Sequence, residues 1–79
     1  MRSVMAVEDD DSIRLVLRVA IEDLGYQVTE AASAEETIDL LHALEPDLLL
    51  VDRRLPGRRM VAGLASGADD YITTPFVSA

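Results

Sequence analysis

Leu48-Leu49-Leu50-Val51 is an unbroken apolar run held between Pro46-Asp47 and Asp52. Such a run, with no polar alternation and with turn-type residues at its ends, fits a strand covered on both faces. Strands of that kind lie in the middle of parallel sheets, whose crossovers are helices. The chain has 79 residues, so the helices and the sheet must belong to one domain. A chain of this size buries only about 60–65% of the surface its unfolded form exposes, which leaves stability thin.

The residues before this run supply the rest of the unit. Val4-Met5-Ala6-Val7 is a short apolar run that ends in the acids Glu8 to Asp11, as a buried strand would. From Ser12, Ile13, Leu17, Ala20, Ile21 and Leu24 recur at helical spacing, while Arg14, Arg18, Glu22 and Asp23 take other faces. Asp10 or Asp11 caps the start, and Gly25 fits just past the end. Tyr26 to Ala32 reads as a second strand. Ser33-Ala34-Glu35-Glu36 has capping-box spacing, with Ile38, Leu41 and Leu44 on one face of the helix that follows and Pro46 stopping it. After Asp52, Arg53 to Arg59 reads as a loop turning at Pro56-Gly57, Met60 to Ser66 as a short helix ended by Gly67, and Asp70 to Thr74 as a last strand ending at Pro75-Phe76.

The order β-α-β-α-β predicts an α/β fold with a parallel sheet and right-handed crossovers. Residues 1–57 form the β-α-β-α-β core of this single domain, and residues 58–79 add the short helix and last strand. Sites in such sheets lie at the carboxyl ends of the strands. Glu8-Asp9-Asp10 follow strand one and Asp52 follows strand three, and in a doubly wound sheet those strands are neighbours, so the acids converge. Each group also has a plainer reading: the acids at 8–11 cap and solvate a helix, and Asp52 is a polar strand end. Their meeting at two ends of one sheet favours a site.

Composition narrows the chemistry. The net charge is −8, which opposes direct binding to nucleic acid or to an anionic membrane. There is no cysteine, which removes thiolate ligands and nucleophiles, and His42 is the single histidine, an ordinary residue of the second helix. All seven basic residues are arginines. No apolar run is long enough to span a bilayer, and no signal-peptide core forms before Glu8, so the expected location is cytoplasmic. No independent nucleophile and base pair is visible, so an enzyme in its own right is not expected.

Several motifs in register, Val7-Glu8-Asp9-Asp10-Asp11-Ser12-Ile13-Arg14, Gly25-Tyr26-Gln27-Val28, Pro46-Asp47-Leu48-Leu49-Leu50-Val51-Asp52, Leu55-Pro56-Gly57 and Gly67-Ala68-Asp69-Asp70-Tyr71, resemble the receiver domains of response regulators. The resemblance implies a flavodoxin-like (CheY-like) α/β fold, here a reduced, doubly wound parallel sheet of strand order 2-1-3 with the last strand beside strand three, and a role in two-component signal transduction. It implies that Asp52 is the phosphoacceptor, with a sensor histidine kinase as partner. It also implies a magnesium ion held by Glu8, Asp9, Asp52 and the backbone carbonyl of Arg54. Counting back from Arg14 selects Glu8-Asp9 over Asp9-Asp10 as the acidic pair.

The chain departs from the family pattern in three places. Between the Pro-Gly turn and the Gly-Ala-Asp-Asp-Tyr block, roughly one β-α unit of about 30 residues is missing, and with it the hydroxyl residue that ends the family's fourth strand. Thr74 stands where the family has a lysine, and the chain has no lysine to replace it. The family's last helix is also missing.

Three carboxylates close together repel, so one tends to keep its proton unless a hard divalent cation such as magnesium offsets them. Asp52 can then attack a phosphohistidine to give an acyl phosphate. Losing the lysine and hydroxyl contacts weakens that step and the switch that reads it. Two other functions remain open: a degenerate receiver that is not phosphorylated and works as a protein–protein interaction module, or an inactive remnant. Arg53, Arg54, Arg58 and Arg59 form a basic cluster, either a solvated loop or, through Arg58 or Arg59, a substitute for the metal among the acids. The stripe from Met60 to Ser66 is expected in the core. Uncovered sheet surface predicts a homodimer, by strand exchange or otherwise, or a partner over that face.

Overall fold

In a computed structural model, residues 2–52, 54–64 and 70–74 are described. The elements follow in the order β1 (Ser3–Val7), α1 (Asp11–Asp23), β2 (Gln27–Ala31), α2 (Ala34–Ala43), β3 (Leu48–Asp52), α3 (Arg58–Leu64) and β4 (Asp70–Thr74). The strands form one parallel sheet of order β2-β1-β3-β4. The predicted 2-1-3 arrangement is therefore observed, with the last strand beside strand three. Register pairs Val7 with Ala31 and Val51, and Asp52 with Thr74, so the carboxyl ends of all four strands lie along one edge.

Alternation along the central strands sends successive side chains to opposite faces. Met5, Val7, Leu49 and Val51 pack with Ala31, Ala34, Leu55 and Val61, and with Leu40 and Leu41 at the margin. This is the core, and α2 and α3 cover it. Val4, Leu48 and Leu50 point the other way, where with Ile21, Leu24 and Tyr26 they line a groove of about 610 Å³ that also meets Arg2, Ser3 and Asp47. Helix α1 lies along β1 and β2 on that side, yet none of its residues is fully buried.

The helix starts have local causes. The Asp10 carboxylate accepts from the amides of Ser12 and Ile13, and the Ser33 hydroxyl accepts from the Glu36 amide. Each satisfies donors that the first helical turn leaves free. Asp10, rather than Asp11, is the cap. At Leu55-Pro56-Gly57-Arg58 the Arg58 amide donates to the Leu55 carbonyl at 3.1 Å, and Gly57 has φ +81°. Proline followed by a positive-φ glycine is the chemistry of a type II turn. A Cβ on Gly57 would also stand 2.9 Å from that of Ala34, so the turn needs glycine twice over.

Several expectations are corrected in detail. Helix α3 begins at Arg58, two residues before Met60, because the turn at Gly57 feeds straight into it. Of its apolar stripe, Val61 is buried while Met60 is 58% exposed. Strand β2 starts at Gln27, because the Tyr26 amide is still bonded to the Ile21 carbonyl at the end of α1. The inward face of α2 is Ala34, Thr37, Leu40 and Leu41, whereas Leu44 is exposed. Leu24 is 76% exposed, so the α1 stripe is covered only in part. The predicted helix end at Ser66-Gly67 and the Pro75-Phe76 strand end lie outside the described residues.

Candidate functional site

The carboxyl edge of the sheet brings together three of the predicted site residues. Glu8 follows β1, Asp9 begins the passage to α1, and Asp52 ends β3, which pairs with β1. One carboxylate oxygen from each lies within 4.8 Å of the others. Asp9 is exposed, whereas Asp52 and Glu8 are 6% and 1% exposed. Local bonding fixes the cluster. The Glu8 amide donates to the Ala31 carbonyl at 3.0 Å, and its Oε1 accepts from the Asp10 amide at 3.0 Å. Asp52 Oδ1 accepts from the Arg54 amide at 3.1 Å, so Arg54 meets the site through its N–H. Thr74 stands beside Asp52 in the strand register.

Glu8 Oε2 is buried with no hydrogen-bond partner among the described residues. Burial pushes the Glu8 carboxyl up to about 7, with the neighbouring Asp9 and Asp52 adding to the rise and the Asp10 amide opposing it. Near neutral pH, Glu8 thus keeps its proton for part of the time, with burial as the main cause. A buried oxygen with no partner among the described residues, in a set made only of carboxylates, fits a hard divalent cation that takes oxygen ligands.

Sequence reasoning missed the part played by Arg14. Its place among the polar positions of α1 suggested solvent, yet its side chain is 17% exposed. Nη1 donates to the Glu8 carbonyl at 2.9 Å, Nη2 pairs with Asp11, and Nε lies 3.7 Å from Glu30 of β2. The signal available was the Asp11–Arg14 spacing on one helical face. Arg58 and Arg59 make no ion pair with the acids among the described residues, where the salt bridges run from Arg14 and Arg18. Arg53 lies outside those residues, and His42 is exposed at the end of α2.

Residues 4–65 match the profile of the response regulator receiver domain. The chain belongs to that family. It is 35% identical to the transcriptional regulatory protein AfsQ1 of Streptomyces coelicolor, in an alignment holding 95% of this chain and 45% of that protein. This receiver chain therefore spans less than half the length of that relative. The alignment runs over 102 residues, longer than the chain itself, so AfsQ1 carries residues with no counterpart here. Among solved structures, the response regulator TrrA of Thermotoga maritima in complex with Mg(2+)-BeF shares the fold at TM-score 0.77 and 22% identity, covering 96% of this chain and 89% of that one. TrrA in complex with the histidine kinase ThkA gives TM-score 0.75 at 22% identity, covering 99% and 90%. The receiver family rests on the profile match, and these structures show that the chain shares the receiver fold. No helix among the described residues is long and apolar enough to cross a membrane.

Proposed function

We propose that this receiver accepts a phosphoryl group on Asp52 from the phosphohistidine of a sensor histidine kinase. The clustering of one carboxylate oxygen each from Glu8, Asp9 and Asp52 within 4.8 Å, with Glu8 Oε2 buried and without a hydrogen-bond partner among the described residues, is the observation that carries the reading. Glu8, Asp9, Asp52 and the Arg54 carbonyl would hold magnesium, which supplies positive charge against the phosphoryl oxygens. That TrrA has been seen with Mg(2+)-BeF, and with a histidine kinase, supports both the ion and the partner.

The chain's own residues set up the step. The Arg54 amide orients the Asp52 carboxylate, leaving its other oxygen to attack phosphorus as the bond to the histidine nitrogen breaks. Asp52 thereby becomes an acyl phosphate, and the electron pair of the broken bond returns to the imidazole. The chain acts as a signalling domain of the cytoplasm and not as an enzyme in its own right. The open groove beside α1 supports self-association, and a monomer in sedimentation at high concentration would remove that part.

The test is intact mass after incubation with a small-molecule phosphodonor, with and without magnesium, beside Asp52→Asn. The expected result is an adduct that needs both magnesium and Asp52. Thr74 beside Asp52, in a chain without lysine, favours a second reading as an unphosphorylated interaction module. A folded chain that forms no adduct would select it.

A further inference from the structure

We infer that Arg14 is a positioning residue of the acidic centre, its guanidinium fixing the Glu8 backbone so that the Glu8 and Asp9 carboxylates meet Asp52. The inference rests on the reading of those three carboxylates as a divalent-cation site.

Glu8 is the first residue past β1. Its amide is tied to the Ala31 carbonyl of β2, and its own carbonyl accepts from Arg14. The backbone on both sides of its Cα is thus pinned, which directs the side chain toward the cluster. Arg14 can act this way because helical side chains lean toward the amino end of their helix, back over the turn that precedes them. The planar fork reaches three elements at once: the end of β1 through the Glu8 carbonyl, the first turn of α1 through Asp11, and β2 through Glu30. A lysine carries the same charge but cannot hold three partners in fixed directions.

Charge and position make opposite predictions, which isolates the role. Removing a cation bound at the Glu8 carbonyl would by charge alone tighten the binding of another cation. Releasing the Glu8 carbonyl would loosen it, because partners behind the ligands typically contribute about 10–100-fold to metal affinity. Arg18 provides the charge-matched control. It lies one turn further along α1 and pairs with Glu30 and Glu22, without contact to Glu8 among its bonds.

The experiment titrates magnesium chloride into the chain by calorimetry, for the unmodified chain, Arg14→Ala, Arg14→Lys and Arg18→Ala, with folding checked by circular dichroism. The expected result is binding about tenfold weaker in Arg14→Ala, weaker in Arg14→Lys although its charge is kept, and unchanged or slightly tighter in Arg18→Ala. If Arg14→Ala does not fold, Arg14→Lys decides alone. Affinity preserved in the Arg14 variants, or lowered equally by Arg18→Ala, overturns the inference. If the unmodified chain takes up no magnesium, the cation-site reading fails by itself. Amide hydrogen exchange at Glu8 and Asp10 then decides the positioning role: faster exchange in Arg14→Ala than in Arg18→Ala upholds it, and equal exchange overturns it.

Discussion

The two faces of the sheet are built from the same strands and finished differently. Toward α2 and α3, Met5, Val7, Leu49 and Val51 are sealed from water by Leu55, Val61 and α2. Toward α1, Leu48 and Leu50 are only partly buried beside a groove, while Leu15, Val16 and Val19 of the helix stay more than half exposed. Apolar area removed from water is the main favourable term in folding. The closed face must therefore carry most of the stability, and α1 must lean on local bonds. Its cap at Asp10 and the ion pairs of Arg14 and Arg18 with Asp11, Glu22 and Glu30 are those bonds.

The strongest test uses neighbours on one strand. Leu49 is fully buried against α2 and α3, while Leu50 points to the groove. Leu49→Ala is expected to cost about 3 kcal/mol, transfer and cavity together, and Leu50→Ala about 1 kcal/mol. Urea unfolding of both variants measures the gap. Equal losses would mean that the open face is as well packed as the closed one.

A second effect comes from the carboxyl edge, where both faces meet. Glu8 titrates near 4.5 in an unfolded chain and near 7 in the fold. Below the lower value both states hold the proton, and Glu8 makes no difference. Between the two, the unfolded chain has released a proton that the fold still binds, so stability falls as pH rises, and above about 7 the loss is complete. The metal-free chain is expected to lose about 3 kcal/mol across that window. Glu8→Gln should flatten the profile, and a profile unchanged by that substitution would rule out Glu8 as its source. Magnesium binding should strengthen through the same window, because the ion requires the ionised carboxylate.

How much of this was legible depended on whether the signal was local. The parallel sheet followed from the apolar runs at 4–7 and 48–51 and the helical spacing between them, and its strand order from the resemblance to receivers. The convergence of Asp52 with the acids after β1 needs only that β1 and β3 be neighbours, while the choice of Glu8 and Asp9 among those acids came from the resemblance to receivers. The unequal cover of the two faces did not follow. Periodicity marks Leu24 and Met60 as apolar positions, but it does not say whether another layer reaches them. Arg14 was hidden for the same reason. A charged residue in a helix reads as solvent-facing until the carbonyl it reaches is placed beside it. The start of α3 at Arg58 depended on how the turn at Gly57 joins the helix, a detail the tripeptide Leu55-Pro56-Gly57 leaves open.

A smaller contrast lies within α3. Val61 is fully buried and Met60 mostly exposed. Val61→Ala is expected to cost about 1.5 kcal/mol, and Met60→Ala a few tenths, by thermal or urea unfolding. A larger loss from Met60→Ala would show that the outer side of α3 is covered in solution.

The smallest effects come from the two caps, and they test most directly whether α1 and α2 are held differently. Ser33 caps α2 on the closed face, and Asp10 caps α1 beside the open one. Replacing either by alanine removes an acceptor for first-turn amides, at a cost of about 1 kcal/mol. The loss should be felt in different places. Helix α2 is welded to the core through Ala34 and Thr37, so it opens only when the whole sheet does, and Ser33→Ala should lower global stability. Helix α1 buries no residue completely, so it can open while the sheet persists. Asp10→Ala should then speed hydrogen exchange in α1 alone, with little change in the midpoint of global unfolding. If both substitutions shift that midpoint equally and leave exchange in α1 tied to it, then α1 is cooperative with the core, and its packing on the sheet contributes more than its exposure indicates.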